Sequence, residues 1–280
     1  MTPVPGARTY VIVLNWNGLA DTRACLRSLE PALGDDAVVC VVDNASTDGS
    51  AEAIRREFPR ARVLETGANL RFAGGNNAGI RAALEAGARE IMLLNNDTTV
   101  DSGFLGAMTS RLRSWPDAGI VAPKILYHAE PHRIWYAGGE ISPWTGTMRH
   151  RGIREEDDGR FDTPGETGYA SGCCLLVKRE VVERIGMLDE AYYMYTEDAD
   201  FCMRARRAGY RVVYEPRARV WHKVSVSAGG HLSAFKMRNK FLSNYRFFAR
   251  YDAWYQWGVF PWMNVAVNAA AALRYLLRRR

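Results

Sequence analysis

The sequence AVVCVVDNASTDGS, residues 37–50, places a run of β-branched and small apolar residues directly before a polar turn. The apolar run predicts a buried strand over residues 37–43, and residues 50–58 show the spacing of a short helix. A buried strand followed by polar residues and a helix recurs at YVIVLN (residues 10–15) and EIMLLN (residues 90–95). Strands that alternate with helices in this way predict a mainly parallel sheet with right-handed crossovers, and therefore an α/β fold.

The remaining periodic segments extend this pattern along the chain. The glycine-rich stretch AGGNNAG at residues 73–79 precedes a predicted helix and is compatible with either a phosphate-binding loop or a simple turn. Residues 142–168 are rich in Gly, Thr and Asp and predict a long loop or a mobile insertion. Apolar periodicity predicts helices at 21–33, 77–88, 101–115, 178–185 and 198–208, and strands at 62–65, 174–177, 211–214 and 218–221.

Composition limits the class of protein. The chain has 280 residues, of which 48% are hydrophobic and 24% are charged, so we expect one α/β domain with a modest appendage and exclude a disordered chain. Its five cysteines form no C-x-x-C pair, which argues against a disulfide scaffold or a cysteine zinc site and fits a reducing compartment. Residues 1–17 lack the basic start and long apolar run of a signal peptide, so we expect a cytoplasmic protein.

Positive charge is concentrated towards the C-terminus. Residues 201–280 contain 16 Lys and Arg against 2 Asp and Glu, although the net charge of the whole chain is only +6. Residues 241–262 are rich in aromatic side chains, with basic residues among and before them. Aromatic and basic residues in one segment are typical of a helix at the surface of an anionic membrane. We therefore divide the chain into a main domain at residues 1–228 and a basic aromatic helical segment at residues 229–280.

Part of this C-terminal segment approaches the length of a membrane span. Residues 253–273 contain no charged residue, and about 20 apolar residues are needed to cross a bilayer. Gln256, Pro261, Asn264 and Asn268 argue against a stable span. We expect a peripheral or re-entrant membrane segment. The alternative is a helical appendage that packs on the domain or joins two copies into an oligomer.

Polar residues follow the three apolar strands at the point where each strand ends. The three polar ends are Asn15-Trp16-Asn17, Asp43-Asn44-Ala45-Ser46 and Asn95-Asn96-Asp97-Thr98. Because ligands of an open parallel sheet bind beyond the carboxyl ends of its strands, three such ends together indicate one binding crevice. The alternative is that these Asp and Asn residues only begin turns and cap helices.

A diphosphate bound in this crevice would need a cation. The sequence has no G-x-x-x-x-G-K-[ST] loop and no G-x-G-x-x-G after the first strand. Asp97 is an acid at a strand end, and a carboxylate oxygen is a ligand that Mg²⁺ or Mn²⁺ prefers. A lone Asp is a poor ligand set, so His222, at the end of the last short strand, is a candidate second ligand.

An acidic cluster lies where the predicted helix at residues 198–208 begins. Glu197-Asp198-Ala199-Asp200 puts three acids into four residues. Neighbouring carboxylates raise one another's pKa, which suits a general base, and base catalysis typically contributes about 10²–10⁴-fold. We favour Asp198 as a base over the alternative, a capping cluster at the positive end of a helix.

Five blocks of the sequence, taken in order, resemble the family 2 glycosyltransferases. They are DNASTDGS (residues 43–50), NLRFAGGNNAG (69–79), LLNNDT (93–98), SGCCLLV (171–177) and YTEDADF (195–201). Within that family, the chain is most similar to bacterial rhamnosyltransferase-like enzymes of surface-polysaccharide assembly. The resemblance implies the GT-A fold, a Rossmann-like, mainly parallel mixed sheet flanked by helices, here with a C-terminal helical appendage. The third block departs from the commoner acidic triplet, because Asn95 and Asn96 replace two carboxylates.

The resemblance implies a role for individual residues. Asp43 would contact the uracil or thymine base of a nucleotide-sugar, and Asn96 would lie near the ribose. Asp97 and His222 would hold Mg²⁺ or Mn²⁺ at the diphosphate, and Asp198 would be the catalytic base. The expected nucleotide contacts also include Asn15, Asn17, Arg71 and Asn76, and the expected contacts to acceptor or diphosphate are Glu197 and Arg238.

These expectations combine into one predicted function. The chain is expected to be an inverting, metal-dependent glycosyltransferase that moves a sugar, rhamnose being a candidate, from a dTDP or UDP carrier to a glycan or lipid-linked glycan. It would act at the inner face of the cell membrane, without nucleic acid as a partner.

Two alternatives stay open. A sugar-phosphate nucleotidyltransferase should carry a basic Gly-rich loop after the first strand, where Asn15-Trp16-Asn17-Gly18 stands instead. A nucleic-acid-binding module would use the basic aromatic segment for stacking and phosphate contacts. It would leave Asp43, Asp97 and Asp198 without a role.

Overall fold

The structure of the protein, a computed structural model, describes residues 8–142, 144, 147–224, 234–251, 262, 265 and 266. Its strands are β1 (Thr9–Asn15), β2 (Ala37–Asp43), β3 (Arg62–Glu65), β4 (Glu90–Asn95), β5 (Thr98–Val100), β6 (Ala118–Tyr127), β7 (Ile134–Tyr136), β8 (Gly139–Ser142), β9 (Thr147–His150), β10 (Gly165–Glu166), β11 (Cys174–Lys178) and β12 (Arg211–His222). Its helices are α1 (Leu19–Leu29), α2 (Ser50–Glu57), α3 (Arg71–Glu85), α4 (Phe104–Ser114), α5 (Arg179–Ile185), α6 (Glu197–Arg207) and α7 (Ala234–Tyr251).

Among these residues, ten strands form one mixed sheet, whose main path runs β10-β12-β6-β11-β4-β1-β2-β3. β1 pairs in parallel with β2 and with β4, so the three predicted apolar strands are direct neighbours. β11 runs antiparallel between β4 and β6, which makes the sheet mixed. The predicted α/β class is therefore confirmed.

The centre of the sheet is buried on both faces. Val11, Ile12 and Val13 of β1 have no exposed surface, which explains why this strand reads as an unbroken apolar run. Cys25 and Leu29 of α1 are also buried in the same core. Burial of these side chains fixes the position of β1, so the polar residues that follow it are held on a rigid support.

Two strands differ from the sequence-based prediction. The apolar pattern did not reveal β6, although this strand lies inside the sheet between β11 and β12. Gly119 and Pro123 interrupt its apolar run, and such residues usually mark a turn or an edge strand. β12 is one strand rather than the predicted two, because its pairing with β6 resumes after a register shift between Glu215 and Arg219.

The predicted long loop at residues 142–168 is also more ordered than expected. It contains β9, which forms a hairpin with β8, and β10, which pairs with β12. Lys124 of β6 is fully buried and donates to Asp157 at 2.6 Å and to Asp162. The acidic residues that suggested a loop are therefore partners of a buried lysine, since a buried charge needs such compensation.

The glycine-rich stretch at residues 73–79 lies inside α3, which begins at Arg71, six residues earlier than predicted. A Cβ atom at Gly75 would lie 2.5 Å from Leu14 Cδ1, and one at Gly79 would lie 2.6 Å from Ile12 Cγ2. These glycines allow the helix to approach β1 closely. Neither of the two readings of this stretch, a phosphate-binding loop or a turn before a helix, is correct.

Gly79→Ala is expected to destabilise the fold by about 1–3 kcal/mol, because the added methyl group would overlap the side chain of Ile12. Gly106→Ala is the matched control. Gly106 also lies in a helix, α4, but a Cβ there has no neighbour within 4 Å. This control should be stabilised by about 0.5–1 kcal/mol, since Ala is the better helix former. Urea unfolding of both variants measures the difference, and equal stability would contradict the packing role of Gly79.

The helix α7 packs on the main domain. Phe247 and Phe248 are buried, and the hydroxyl of Tyr251 donates to the Asp200 carboxylate at 2.7 Å. Arg250 donates to the same carboxylate at 3.1 Å. Because Asp200 belongs to α6, this buried cluster joins α6 and α7. Helix α7 therefore packs on the domain, as one of the two expectations for the C-terminal segment proposed. The division of the chain between residues 228 and 229 stays a prediction.

The more apolar part of the C-terminal segment follows α7. The predicted peripheral or re-entrant stretch at residues 253–273 lies almost wholly outside the described residues. Where the structure describes the chain, none of its helices is long and apolar enough to cross a membrane. Trp262 and Val265 are described, and both are largely exposed.

Candidate active site

The carboxyl ends of β1, β2 and β4 meet at one edge of the sheet. The parallel register places Asn15 opposite Asp43, at the last residue of each strand. The Asn15 side chain donates to Asp43 Oδ2 at 2.9 Å and to Ser46 Oγ at 3.1 Å. Asp43 Oδ1 in turn accepts from the Ser46 amide at 2.8 Å. The predicted convergence of polar strand ends is therefore present, and Asp43 is held in one orientation.

Asn15 lies at the centre of this edge. Its Oδ1 accepts from Thr22 Oγ1 at 2.8 Å and from Asn96 Nδ2 at 3.2 Å. The residue has no exposed surface. Both polar atoms of the Asn15 side chain are engaged in these hydrogen bonds, and its expected contact with a nucleotide stays a prediction. Its side chain orients Asp43 and Asn96.

Gly18 is a residue of this edge that the sequence reasoning missed. A Cβ atom at Gly18 would lie 2.5 Å from Asn96 Nδ2 and 3.2 Å from Asn15 Oδ1. Asn96 also donates to Thr22 Oγ1 at 3.0 Å, so its amide lies between α1 and β4. The signal that could have found Gly18 is its position directly after the polar end of the first strand.

Gly18→Ala should displace the Asn96 amide and weaken nucleotide binding by about tenfold, the cost of one or two lost hydrogen bonds. Gly34→Ala is the control, because a Cβ there meets only Asp36 Oδ1, at 3.5 Å. Calorimetric titration of both variants with dTDP and UDP in the presence of Mn²⁺ measures the effect. Wild-type affinity in Gly18→Ala would show that the Asn96 position does not matter for the nucleotide.

The loops after β1 and β2 are bound to each other. Asn17 has a left-handed backbone, with φ 50°, and its Oδ1 accepts from the Thr47 amide at 2.7 Å. The Asn17 amide donates to Ser46 Oγ at 2.9 Å. Asn17 and Trp16 are exposed at this edge, the latter at 57%. These two side chains are free to contact a ligand that lies over Asp43.

Arg71 and Asn76, both predicted nucleotide contacts, have different surroundings. Arg71 is exposed at the start of α3, and its guanidinium lies 4.0 Å from the ring centroid of Tyr193. Asn76 is buried, and its Nδ2 donates to the Phe72 carbonyl at 2.9 Å. The structure therefore keeps Arg71 accessible to a ligand, whereas the side chain of Asn76 is bound within its own helix, and the expected nucleotide contacts of both residues stay predictions.

Asp97 and His222 form a buried pair. Strand β5 pairs with β12 so that His222 lies opposite Thr98, next to Asp97 in sequence. His222 Nε2 lies 3.2 Å from Asp97 Oδ1, and the two residues are only 8% and 9% exposed. His222 Nδ1 has no hydrogen-bond partner among the described residues. One carboxylate oxygen and one imidazole nitrogen thus lie next to each other, and such a pair of ligand atoms suits Mn²⁺ or Mg²⁺.

The protein supplies few further metal ligands at this point. Within the described ranges, no group of three or more His, Cys, Asp or Glu residues could hold a metal ion. Asn95 and Asn96 occupy positions where carboxylates would have added ligands. A cation at the Asp97–His222 pair would therefore need oxygen ligands from a bound molecule or from water.

Asp198 and Glu197 begin helix α6 after two residues of left-handed backbone, Tyr195 at φ 68° and Thr196 at φ 76°. Such conformations are costly for residues other than Gly and often occur at functional sites. Asp198 Oδ2 accepts from the Gly172 amide at 2.8 Å, and its Oδ1 accepts from the Ala199 amide at 2.8 Å. The carboxylate is thus fixed by backbone donors.

The two adjacent acids differ in their surroundings. Burial, together with the nearby charge of Asp198, raises the pKa of Glu197 to about 8. Glu197 Oε2 has no hydrogen-bond partner in the part of the chain that the structure covers. Burial also raises the pKa of Asp198, but its two amide donors oppose that rise, and the residue is only partly buried. The two backbone donors favour the charged form of Asp198, whereas Glu197 has no such donor to its Oε2 in the described part of the chain.

Residues 172 and 173 connect the segment of Asp97, which follows β4, with Asp198 of α6. The Asn95 amide donates to the Cys173 carbonyl at 2.9 Å, and the Gly172 amide donates to Asp198. Burial raises the pKa of the Cys173 thiol, and the charges of Asp97 and Asp198 both raise it further. The two aspartates, 101 residues apart in sequence, are therefore linked through residues 172 and 173 at the same edge of the sheet.

Helix α7 also reaches this edge. Ser243 Oγ donates to the Met194 carbonyl at 2.8 Å, and Asn244 Oδ1 lies 3.1 Å from Thr196 Oγ1. These contacts hold the segment that leads into Glu197 and Asp198. Their sequence positions gave no signal, because a Ser and an Asn inside a helix usually face solvent.

Two basic residues of α7, Lys240 and Arg238, lie on different faces of the helix. Lys240, Ser243 and Phe247 are spaced i, i+3 and i+7, so they share the face that packs on the domain. Lys240 is nevertheless exposed. Burial, together with the nearby charge of Lys240, lowers the pKa of His150 to about 4. Arg238 lies on the opposite, outward face, so its expected contact with acceptor or diphosphate is opposed by the structure.

Comparisons with known proteins agree with this geometry. Residues 10–186 match the family model described as Glycosyl transferase family 2. The N-acetylglucosaminyl-diphospho-decaprenol L-rhamnosyltransferase of Mycobacterium tuberculosis is 30% identical over 286 residues, which cover 91% of this chain and 89% of that protein. The dTDP-rhamnosyl transferase RfbF of Shigella flexneri is 24% identical over 220 residues, 77% of this chain and 69% of that protein.

A solved structure has the same fold. The mannosyltransferase PcManGT of Pyrobaculum calidifontis, in complex with GDP-Man and Mn²⁺, matches with a TM-score of 0.61 and 19% identity over 95% of this chain and 75% of that chain. The fold is thus that of the GT-A glycosyltransferases, as predicted. Because the family model covers more than half of its length, the chain belongs to glycosyl transferase family 2. It is a glycosyltransferase, and this class leaves no support for the nucleotidyltransferase or nucleic-acid-binding alternatives.

Proposed function

We propose that this glycosyltransferase is inverting and metal-dependent, and that it transfers a sugar from a dTDP- or UDP-sugar to a hydroxyl of a glycan or lipid-linked glycan. One observation carries the proposal: the Asp97–His222 pair and the Asp198 carboxylate lie at the same sheet edge, joined through residues 172 and 173. The names of two relatives favour rhamnose as the sugar, and one of them favours dTDP as the carrier.

The nucleoside end of the donor is assigned to the loops after β1 and β2. Asp43 would accept a hydrogen bond from the ring N–H of uracil or thymine. Its orientation is already set by Asn15 and by the Ser46 amide. Asn17, exposed beside it, and Asn96 are the candidate ribose contacts, and Arg71 is a candidate for phosphate.

The diphosphate end is assigned to Asp97 and His222. Their buried oxygen and nitrogen donors fit a divalent cation, and their small number fits a site completed by phosphate oxygens. When bound, such a cation would offset the negative charge that develops on the departing diphosphate. Lys240 of α7 is a second positive group near this end, because its charge acts on His150.

Asp198 is assigned to proton transfer. Its carboxylate would take the proton from the acceptor hydroxyl as that oxygen bonds to the anomeric carbon. The bond from the anomeric carbon to the diphosphate oxygen breaks on the opposite face of the sugar. Because attack and departure occur on opposite faces, the configuration at the anomeric carbon inverts. Glu197, protonated beside it, would leave Asp198 as the only charged acid of the pair.

The exposed face of α7 is assigned to a membrane surface. Arg238, Phe241, Leu242 and Tyr245 are spaced i, i+3, i+4 and i+7 and form an outward stripe. The three apolar members are 56%, 49% and 49% exposed. A stripe of large apolar side chains with basic neighbours suits the interface of an anionic bilayer. This surface would bring the enzyme to a lipid-linked acceptor at the inner face of the cell membrane.

Replacing two stripe residues, Phe241→Asp with Leu242→Asp, should lower partitioning onto vesicles that contain phosphatidylglycerol by at least about tenfold. Ile153→Asp is the control, since Ile153 is equally exposed, at 49%, but lies elsewhere. Flotation of the wild type should weaken as salt is raised, because the basic groups are screened. Equal flotation of all three proteins would remove α7 from the membrane contact.

A panel of dTDP-, UDP- and GDP-sugars, scored for transfer or hydrolysis with Mn²⁺, Mg²⁺ and EDTA, tests the proposed function. We expect turnover of a dTDP- or UDP-hexose, dTDP-rhamnose first, and its loss in EDTA. Equal turnover in EDTA would contradict metal dependence, and turnover of GDP-sugars alone would contradict the assignment of Asp43 to a pyrimidine base.

A further inference from the structure

A series of aromatic rings runs from the Asp97–His222 pair towards Asp198. Trp135 meets His222 edge to face, with ring centroids 4.7 Å apart, and meets His150 in the same way at 4.4 Å. His150 contacts Tyr136 at 5.1 Å and lies 6.0 Å from Tyr169. Nothing in the proposed transfer reaction so far uses these rings.

The far end of the series lies near the proposed base. Tyr169 lies three residues before Gly172, whose amide donates to Asp198 at 2.8 Å. In agreement, burial raises the pKa of the Tyr169 hydroxyl, and the charge of Asp198 contributes to this rise. Tyr136 and Tyr169 are almost completely buried, and the Tyr136 hydroxyl donates to the Tyr169 carbonyl at 2.6 Å. Trp135 and His150 are only partly buried. The two tyrosines therefore support a surface of which Trp135 and His150 are the accessible members.

The position of these two rings is fixed by the backbone. His150 Nδ1 lies 3.1 Å from the Trp135 carbonyl oxygen, which ties β9 to β7. The Ala137 amide donates to the Arg151 carbonyl at 3.0 Å, and the Arg151 amide donates to Gly138 at 2.8 Å. Because Trp135 contacts His222 and His150 lies near Tyr169, a sugar that reaches from the Asp97–His222 pair to Asp198 would pass close to these rings.

The chemistry of a sugar ring matches such a surface. A pyranose presents apolar C–H groups on its faces and hydroxyls at its rim, so an aromatic ring can cover a face while the hydroxyls stay available. We propose that Trp135, with His150 packed edge to face against it, forms a stacking floor for a sugar ring held between the Asp97–His222 pair and Asp198. This inference rests on the proposed function and adds a subsite for the sugar itself.

Trp135→Ala should lose affinity for the sugar and keep affinity for the nucleotide. We expect binding of dTDP-rhamnose, or the KM for a short-chain N-acetylglucosaminyl-diphospho-prenol, to weaken by about tenfold. Binding of dTDP with Mn²⁺ should stay within about twofold. A weaker dTDP-rhamnose complex identifies the donor sugar as the stacked ring, and a raised acceptor KM identifies the acceptor. Trp135→Phe should restore most of the loss, because it keeps an aromatic face.

Trp144→Ala is the matched control, since Trp144 is a tryptophan of the connection between β8 and β9 and is 53% exposed. An equal loss of dTDP and dTDP-rhamnose affinity in Trp135→Ala would contradict the proposed stacking floor, because Trp135 would then only support His222. Unchanged values for all ligands would overturn it too. The proposed function fails separately, if the wild type neither binds nor turns over a dTDP- or UDP-sugar, and the floor then fails with it.

Discussion

Asp198→Asn is expected to lower turnover by about 10²–10⁴-fold and to leave binding of dTDP or UDP unchanged. The amide oxygen of Asn can still accept the hydrogen bond from the Gly172 amide, which spans 2.8 Å in the wild type. It cannot take a proton from an acceptor hydroxyl. Single-turnover measurements at saturating donor separate this loss of chemistry from any loss of binding.

The neighbouring acid supplies the control. Because burial raises the pKa of Glu197 to about 8, this residue is mostly protonated at pH 7, and Gln reproduces its neutral form. Glu197→Gln should therefore keep most of the turnover at pH 7. An active Asp198→Asn beside an inactive Glu197→Gln would transfer the role of base to Glu197.

Asp97→Asn is expected to weaken Mn²⁺-dependent binding of dTDP by at least on the order of 100-fold, because it removes the charged member of a two-residue ligand pair. His222→Ala should act in the same direction. Titration of Mn²⁺ in the presence of dTDP, followed by electron paramagnetic resonance, measures binding without turnover.

Two controls define what this result means. Asp35→Asn changes an exposed carboxylate before the amino end of β2, far from the crevice, and should bind Mn²⁺ and dTDP as the wild type does. Binding of dTDP measured in EDTA should be the same in all variants. An Asp97→Asn protein with wild-type Mn²⁺ affinity would exclude the Asp97–His222 pair as the metal site.

The first half of the fold could be predicted from the sequence because its strands are buried on both faces. β1, β2 and β4 carry long apolar runs that end in polar residues, and their parallel pairing brings those ends together. β6 escaped prediction because Gly119 and Pro123 break its run. Its position depends on tertiary pairing with β11 and β12, which local periodicity does not contain.

Glycine was the least reliable sequence signal for secondary structure. The stretch at residues 73–79 suggested a loop, since glycine lowers helix propensity. In the structure the same glycines let α3 approach Ile12 and Leu14 on β1. Whether a glycine provides a turn or a close contact depends on the partner that lies against it, and that partner is distant in sequence.

The sequence predicted that the polar ends of three strands meet, and the structure places them together. It did not predict how the side chains there bind one another, such as Asn15 with Asp43 and Asn76 with the Phe72 carbonyl. The rotation of α7 about its axis determines which of Arg238 and Lys240 lies on the side of the domain. This rotation is known only once the structure shows that Ser243 and Phe247 are buried. Composition could not supply this distinction.

The central claim is that Asp97, His222 and Asp198 surround a single nucleotide-sugar site. A crystal structure of the protein with Mn²⁺ and dTDP tests it most directly. The expected result is an ion bound by Asp97 and His222 and by oxygens of the diphosphate, with the Asp198 carboxylate open to the same cavity. A diphosphate bound away from the Asp97–His222 pair, or a cavity from which Asp198 is walled off, would contradict the claim.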